Sequence, residues 1–190
     1  YFSGVSDSFR LGTRGGTALA EPPAVATPAP AVASRTLTVL YASETGNSAT
    51  LAKALAQDAK AQGINASAAS MADYKVRALK DEQDLVVITS THGEGDPPQA
   101  GVGFFEFLES RKAPKLPQLR FAVLALGDST YEKYCEAGKR IDRRLEELGA
   151  QRIAERVDCD VDYEEPASVW HTDVLRRLAP AAQASTAAPA

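Results

Sequence analysis

A doubly wound α/β fold, three layers around a five-stranded parallel sheet in the order 2-1-3-4-5, is predicted by three observations. The runs Leu85–Thr89 and Phe121–Leu126 are apolar without alternation, as strands covered on both faces require. Segments of helical periodicity separate the strand candidates, the pattern of crossovers between parallel strands. Three of the runs end in loops of Gly, Ser, Thr and Asp, at the carboxyl ends where open parallel sheets bind ligands.

Strand one is Leu37–Tyr41, and its helix spans about Asn47–Gln62, with Leu51, Leu55 and Ala59 as the buried stripe and Gly63 as the stop. A weaker strand, Ile64–Ala69, precedes a connecting segment around Tyr74–Leu79. Strand three is Leu85–Thr89, followed after its loop by a helix near Gly103–Ser110. Strand four is Phe121–Leu126; Lys139–Leu148 forms the next helix, stopped by Gly149. Strand five lies near Arg152–Val157, and a last helix covers Glu165–Leu178. The domain therefore occupies residues 36–178. The flanks, 1–35 and 179–190, are different material: Ala20–Ser34 and Ala179–Ala190 are built almost wholly from Ala, Pro, Ser, Thr and Val. They read as linkers, and the chain as a piece of a longer protein.

The loop after strand one, Ser43-Glu44-Thr45-Gly46-Asn47-Ser48, opens directly into a helix. The first amides of a helix have no partner inside it and carry the positive end of its dipole, so a phosphate fits there. Ser43, Thr45 and Ser48 add hydroxyls, yet the loop has no Lys or Arg to meet the outer phosphates of a nucleoside triphosphate. One phosphomonoester on a small cofactor suits it, which points to FMN; an ordinary helix start is the plain alternative. Glu44 is expected to face solvent, away from a dianion. The second loop is Ser90-Thr91-His92-Gly93-Glu94-Gly95-Asp96-Pro97-Pro98, and the third, after Leu126, is Gly127-Asp128-Ser129-Thr130-Tyr131-Glu132-Lys133-Tyr134-Cys135.

Composition excludes more than it assigns. The net charge of −4 is too mild to name a partner, but Glu155–Glu165 gathers Glu155, Asp158, Asp160, Asp162, Glu164 and Glu165 against Arg156 alone. With Glu94, Asp96, Asp128, Glu132 and Glu136 it forms either a docking rim or a solvated acidic face. Neither a nucleic acid nor a membrane partner is expected: no apolar run approaches the roughly 20 residues of a membrane span. Cys135 and Cys159 read as free thiols of a reducing, cytoplasmic compartment. His92 and His171 lack companions at ligand spacing, so no metal site is expected. A receiver domain would need an acid cluster after strand one, a GTPase a loop Lys, and a dinucleotide-binding domain G-x-G-x-x-G.

In these residues the chain from about Thr36 to Leu178 resembles the FMN-binding, flavodoxin-like domain of the diflavin reductases. The likeness rests on the Ser43–Ser48 loop, Ser90-Thr91-x-Gly93-Glu94-Gly95, Ala113-Pro114-Lys115-Leu116, Leu126-Gly127-Asp128-x-x-Tyr131-Glu132 and Arg156-Val157-Asp158-x-Asp160. Tyr1-Phe2-x-Gly4-Val5 also resembles the stretch before the domain in the branch serving bacterial NADPH-dependent assimilatory sulfite reduction, which the chain looks closest to. Flavodoxins are themselves an established example of ligand binding at carboxyl strand ends, so that fit is not independent. The resemblance implies an electron-transfer domain without a catalytic residue of its own. NADPH would reduce FAD in a further module of the same chain, FAD would reduce FMN here, and FMN would pass single electrons to a haem or iron–sulfur partner. This piece alone would not turn over NADPH. A free flavodoxin carrier, or the FMN half of a reductase serving a mono-oxygenase or nitrate reductase, are the rival readings.

The expected cofactor contacts are Ser43, Glu44, Thr45, Gly46, Asn47 and Ser48; Ser90, Thr91, His92 and Gly93; Leu126, Gly127, Asp128, Ser129, Thr130, Tyr131, Glu132, Lys133, Tyr134 and Cys135; and Asp160. Tyr131 holds the family's stacking position, with a buried core Tyr as the alternative and Tyr134 as a second choice. The microsomal member of the family has Tyr where His92 stands; His92 either stacks less broadly or lies exposed beside the ring. The resemblance implies that the flexible Gly93 peptide turns its C=O toward flavin N5 and that Asp160 lies near the ring. Asp128 either caps the Ser129-Thr130 segment or touches the flavin. Cys135 and Trp170 are expected to pack.

Overall fold

The computed structural model describes residues 35–179; the linkers and the Tyr1–Val5 motif expected from sequence lie outside the described residues. The chain runs β1 (Thr36–Ala42), α1 (Asn47–Ala61), β2 (Asn65–Ser70), a 3₁₀ turn (Val76–Asp81), β3 (Asp84–Ser90), a second 3₁₀ turn (Gln99–Gly101) leading into α2 (Val102–Glu109), β4 (Arg120–Leu126), α3 (Glu136–Glu147), β5 (Gln151–Arg152), β6 (Val157–Cys159) and α4 (Glu164–Leu178). The strands pair in parallel in the order β2-β1-β3-β4-β5, the order the sequence predicts; a sixth short strand, β6, also pairs with β4.

Alternation within the apolar strands explains the three layers. Val86 and Ile88 of β3 join Leu55 and Ala59 of α1 and Trp170 and Val174 of α4 on one face. Leu85 and Val87 point the other way, onto Phe104, Phe105 and Leu108 of α2 and Ile141 and Leu145 of α3. Every residue from Asp84 to Thr89 is buried, which is why the strand reads as an unbroken apolar run. Of the α1 stripe, Leu55 and Ala59 are buried and Leu51 is only partly so; Ala52 and Ala56 complete the face. At the amino end of the sheet the buried Asp84 is held by Arg120 at 2.7 Å and Arg35 at 3.0 Å.

Most boundaries lie within a residue of the sequence reading; two elements depart further, each for a local reason. Strand five is two short pieces with Ile153–Arg156 between them, because Arg152 and Arg156 both turn onto the buried Asp142 of α3, each at 2.9 Å. Helix α3 starts at Glu136 rather than Lys139: Cys135 takes φ 55°, and the Ala137 N–H donates to Thr91 Oγ1 at 3.1 Å, occupying one otherwise unpaired first-turn amide.

Candidate functional site

The loops after β1, β3, β4 and β6 meet at the carboxyl edge of the sheet around a cleft of about 570 Å³. At one end stands the start of α1. Gly46 takes φ 93°, a left-handed conformation natural to glycine, and its N–H donates to Ser43 Oγ at 2.9 Å to close the turn. No side chain caps α1, and no acidic residue lies in its first turn. Thr45 and Asn47 face the cleft. Beside them Ser48 is fully buried, and its Oγ has no hydrogen-bond partner. Open amides, a positive dipole end and an orphan hydroxyl together fit an anion and would repel a cation. Glu44 is exposed, as expected, and does not line the cleft; its Oε1 accepts the Gln99 N–H at 2.7 Å.

The second wall is a short hairpin. His92 N–H donates to Asp96 O at 2.8 Å and Asp96 N–H to His92 O at 2.9 Å, leaving Gly93 at the tip with φ 50°. Ser90, Thr91, His92 and Gly93 line the cleft, with His92 exposed. The hairpin leans on the third loop, since a Cβ on Gly95 would meet Lys133 Cβ at 3.0 Å.

The third wall is braced by its own polar groups. Asp128 Oδ1 accepts the Thr130 N–H at 2.9 Å and the Thr130 hydroxyl at 2.6 Å, so its capping role is present. Asp160 accepts the Ser129 N–H at 3.0 Å, the Ser129 hydroxyl, and the Val161 N–H at 2.8 Å. Those bonds, the Ser129 hydroxyl foremost, hold the Asp160 carboxyl below the usual carboxylate range. Tyr134 donates its hydroxyl to Asp158 O at 2.9 Å, and burial raises its pKa. Gly127 has no room for a side chain: a Cβ would lie 2.9 Å from both Cys135 N and Sγ. Burial pushes the Cys135 thiol up to about 12 and the Cys159 thiol to about 11, so both pack in the neutral form.

Tyr131 lines the cleft at 57% exposure, which removes the core-tyrosine alternative. Leu126, Gly127, Asp128, Lys133, Tyr134, Cys135 and Asp160 share the lining; Ser43, Glu44, Gly46, Ser48, Ser129, Thr130 and Glu132 do not. Ser43, Glu44, Ser129 and Thr130 instead hold the loops by the bonds just described. Val161 and Tyr163 line the cleft and were missed. Their signal was available, because Asp160-Val161-Asp162-Tyr163 is the loop after the last strand piece and sits at the same sheet edge.

The acidic run is not uniform either. Asp158 is spent on Arg156 at 2.7 Å, and Trp170 is buried with its Nε1–H on Glu155 O at 3.2 Å. Glu94, Asp96, Glu132, Asp162, Glu164 and Glu165 are exposed. Among the described residues no group of three or more metal-ligating side chains exists, and no helix is long and apolar enough to cross a membrane.

Comparison with known proteins agrees with this architecture. The family model for flavodoxin matches residues 39–170. The sulfite reductase (NADPH) flavoprotein alpha-component of Bacillus subtilis is 52% identical over 163 residues, covering 86% of this chain and 27% of that protein. Its counterpart in Shewanella sp. strain MR-7 is 50% identical over 153 residues, covering 80% of this chain and 25% of that protein. The chain thus spans about a quarter of the length of these relatives. Among solved structures, a Streptococcus flavodoxin superposes with TM-score 0.68 at 24% identity, covering 76% of this chain and 97% of that one. A short-chain flavodoxin associated with a bacterial microcompartment gives TM-score 0.67 at 25% identity, covering 76% and 96%. By the extent of the family match and the fold it accompanies, the chain belongs to the flavodoxin family.

Proposed function

We propose that the cleft binds FMN and that the domain serves as the electron-transfer module of a sulfite reductase flavoprotein. The observation that carries the cofactor is the start of α1: uncapped, free of acids, and flanked by the buried, unpartnered Ser48 Oγ. When bound, FMN supplies reversible uptake and release of electrons. The amides of Asn47 and Ser48, with the hydroxyls of Thr45 and Ser48, hold the phosphate. Tyr131 covers one face of the ring. His92 and Gly93 border the other wall, where the hairpin tip meets the ring edge. Asp160, kept ionised by its donors, sets a fixed negative charge beside the ring, which disfavours added negative charge there.

In the whole protein, a module of the same chain holding FAD and NADPH supplies the electrons, and a haem or iron–sulfur protein takes them singly to reduce sulfite for cysteine biosynthesis. The length and names of the relatives support this, and the exposed carboxylates around the cleft give a basic acceptor an approach. A cytoplasmic setting accords with the free thiols. The test is calorimetric titration with FMN and with riboflavin. Thr45→Val removes one hydroxyl donor from a charged acceptor and is expected to weaken FMN by about 1.5–3 kcal/mol while leaving riboflavin nearly unchanged. Equal weakening of both refutes the phosphate assignment.

A further inference from the structure

We infer that Glu44 caps, from a different loop, the helical segment beginning at Gln99, and so ties the phosphate loop to the loop that faces the flavin ring. The inference rests on the FMN reading above. The segment runs through the 3₁₀ turn Gln99–Gly101 into α2 without a break, and neither part has a side-chain cap of its own. Pro98 precedes it, and the Gln99 N–H is one of the amides a helix start leaves unpaired. Glu44 Oε1 accepts that N–H at 2.7 Å from a residue 55 positions earlier in the chain. A carboxylate at this place also meets the positive end of the helix dipole.

The contact is backed by packing. A Cβ on Gly101 would lie 3.1 Å from Ala42 Cβ, so the segment rests directly on the end of β1, beside the loop that carries Glu44. The same 90s loop is held elsewhere by Thr91, whose N–H donates to Leu126 O at 3.0 Å, and by Gly95 against Lys133. Those two anchors fix it to the end of β4 and to the third loop, while Glu44 supplies the side-chain tie to the phosphate loop. Bonding to Gln99 also keeps the Glu44 charge off the cleft wall, where it would oppose a phosphate dianion. Glu44 is therefore a positioning residue rather than a cofactor contact.

Glu44→Ala and Glu44→Gln variants of the 190-residue chain separate this role from simple charge. With the acceptor gone, Glu44→Ala is expected to speed amide exchange at Gln99 about tenfold and to weaken riboflavin, which lacks the phosphate, about three- to tenfold. It is also expected to shift the potential of bound FMN. Glu44→Gln keeps the acceptor and is expected to leave Gln99 protection, riboflavin affinity and potential as they are, while FMN binds slightly tighter. Unchanged Gln99 exchange in Glu44→Ala, or equal losses in both variants, overturns the inference. Failure of the FMN reading appears separately, as equal binding of the two flavins by the unmutated chain, and the Gln99 exchange result still decides the cap.

Discussion

At the phosphate end of the cleft the protein leaves polar groups open, whereas at the ring end it bonds them to one another. The first turn of α1 has no cap, and Ser48 Oγ has no partner. Around the third loop, Asp128 is satisfied by Thr130, Asp160 by Ser129 and Val161, and the Tyr134 hydroxyl by Asp158 O. The difference teaches what each end is for. An open end stores affinity that only a matching anion can collect, because unmade hydrogen bonds in a buried place cost more than made ones return. A closed end fixes geometry in advance, which suits a ring whose surroundings must not rearrange as it changes charge.

The largest expected effect concerns the closed end, where both thiols are buried. Their ordinary value is 9.0, and the fold raises them to about 12 and about 11. The unfolded chain therefore loses these protons first as pH rises. The stabilisation is fully present below pH 9 and is lost progressively from there to about 11–12. A loss on the order of a few kcal/mol is expected, checked by urea midpoints against pH under reducing conditions. Cys135→Ala should flatten the high-pH limb. A limb unchanged by that substitution breaks the picture of a sealed, neutral ring-end wall.

Next in size is Tyr131→Ala. Tyr131 is 57% exposed and contributes nothing to either core cluster, so the fold should keep its stability. Both FMN and riboflavin should weaken alike, by about 0.5–1.5 kcal/mol beyond the area lost, and the potential of bound FMN should shift. That equality sharpens the comparison, since Thr45→Val at the open end discriminates between the two flavins.

Much of this was legible in the sequence, and the exceptions share a cause. Leu85–Thr89 and Phe121–Leu126 announced themselves because burial on both faces demands unbroken apolar runs. The three loops were legible because glycines and hydroxyls end those runs abruptly. The split of the fifth strand was not, since it depends on Asp142 drawing in two arginines that follow it in sequence. The early start of α3 depends on a left-handed Cys135, a conformation no residue pattern marks. The bond from the Gln99 amide to the exposed Glu44 was not legible, because its partners lie 55 positions apart. Contacts carried by periodicity could be read; contacts carried by a single long-range polar pair could not.

The smallest expected effect lies outside both ends, on the exposed rim. Electron transfer from the reduced domain to a basic haem protein should slow with added salt, since exposed charges act over about 8 Å at physiological ionic strength. Neutralising Asp162, Glu164 and Glu165 should weaken that salt dependence without touching FMN affinity. Asp160 is left intact because it braces Ser129. A rate indifferent to salt in the unmutated domain makes the rim a solvated face.

The contrast between the open and closed ends is tested most directly by residue-resolved amide exchange in the apo chain, with FMN, and with riboflavin. The account predicts that the Asn47, Ser48 and Ala49 amides exchange freely in the apo chain and become protected with FMN but not with riboflavin. The Ser129 and Thr130 amides should be protected in all three states by Asp160 and Asp128. Protection of Asn47–Ala49 that FMN leaves unchanged, or appearance of Ser129 and Thr130 protection only when a flavin is added, contradicts it.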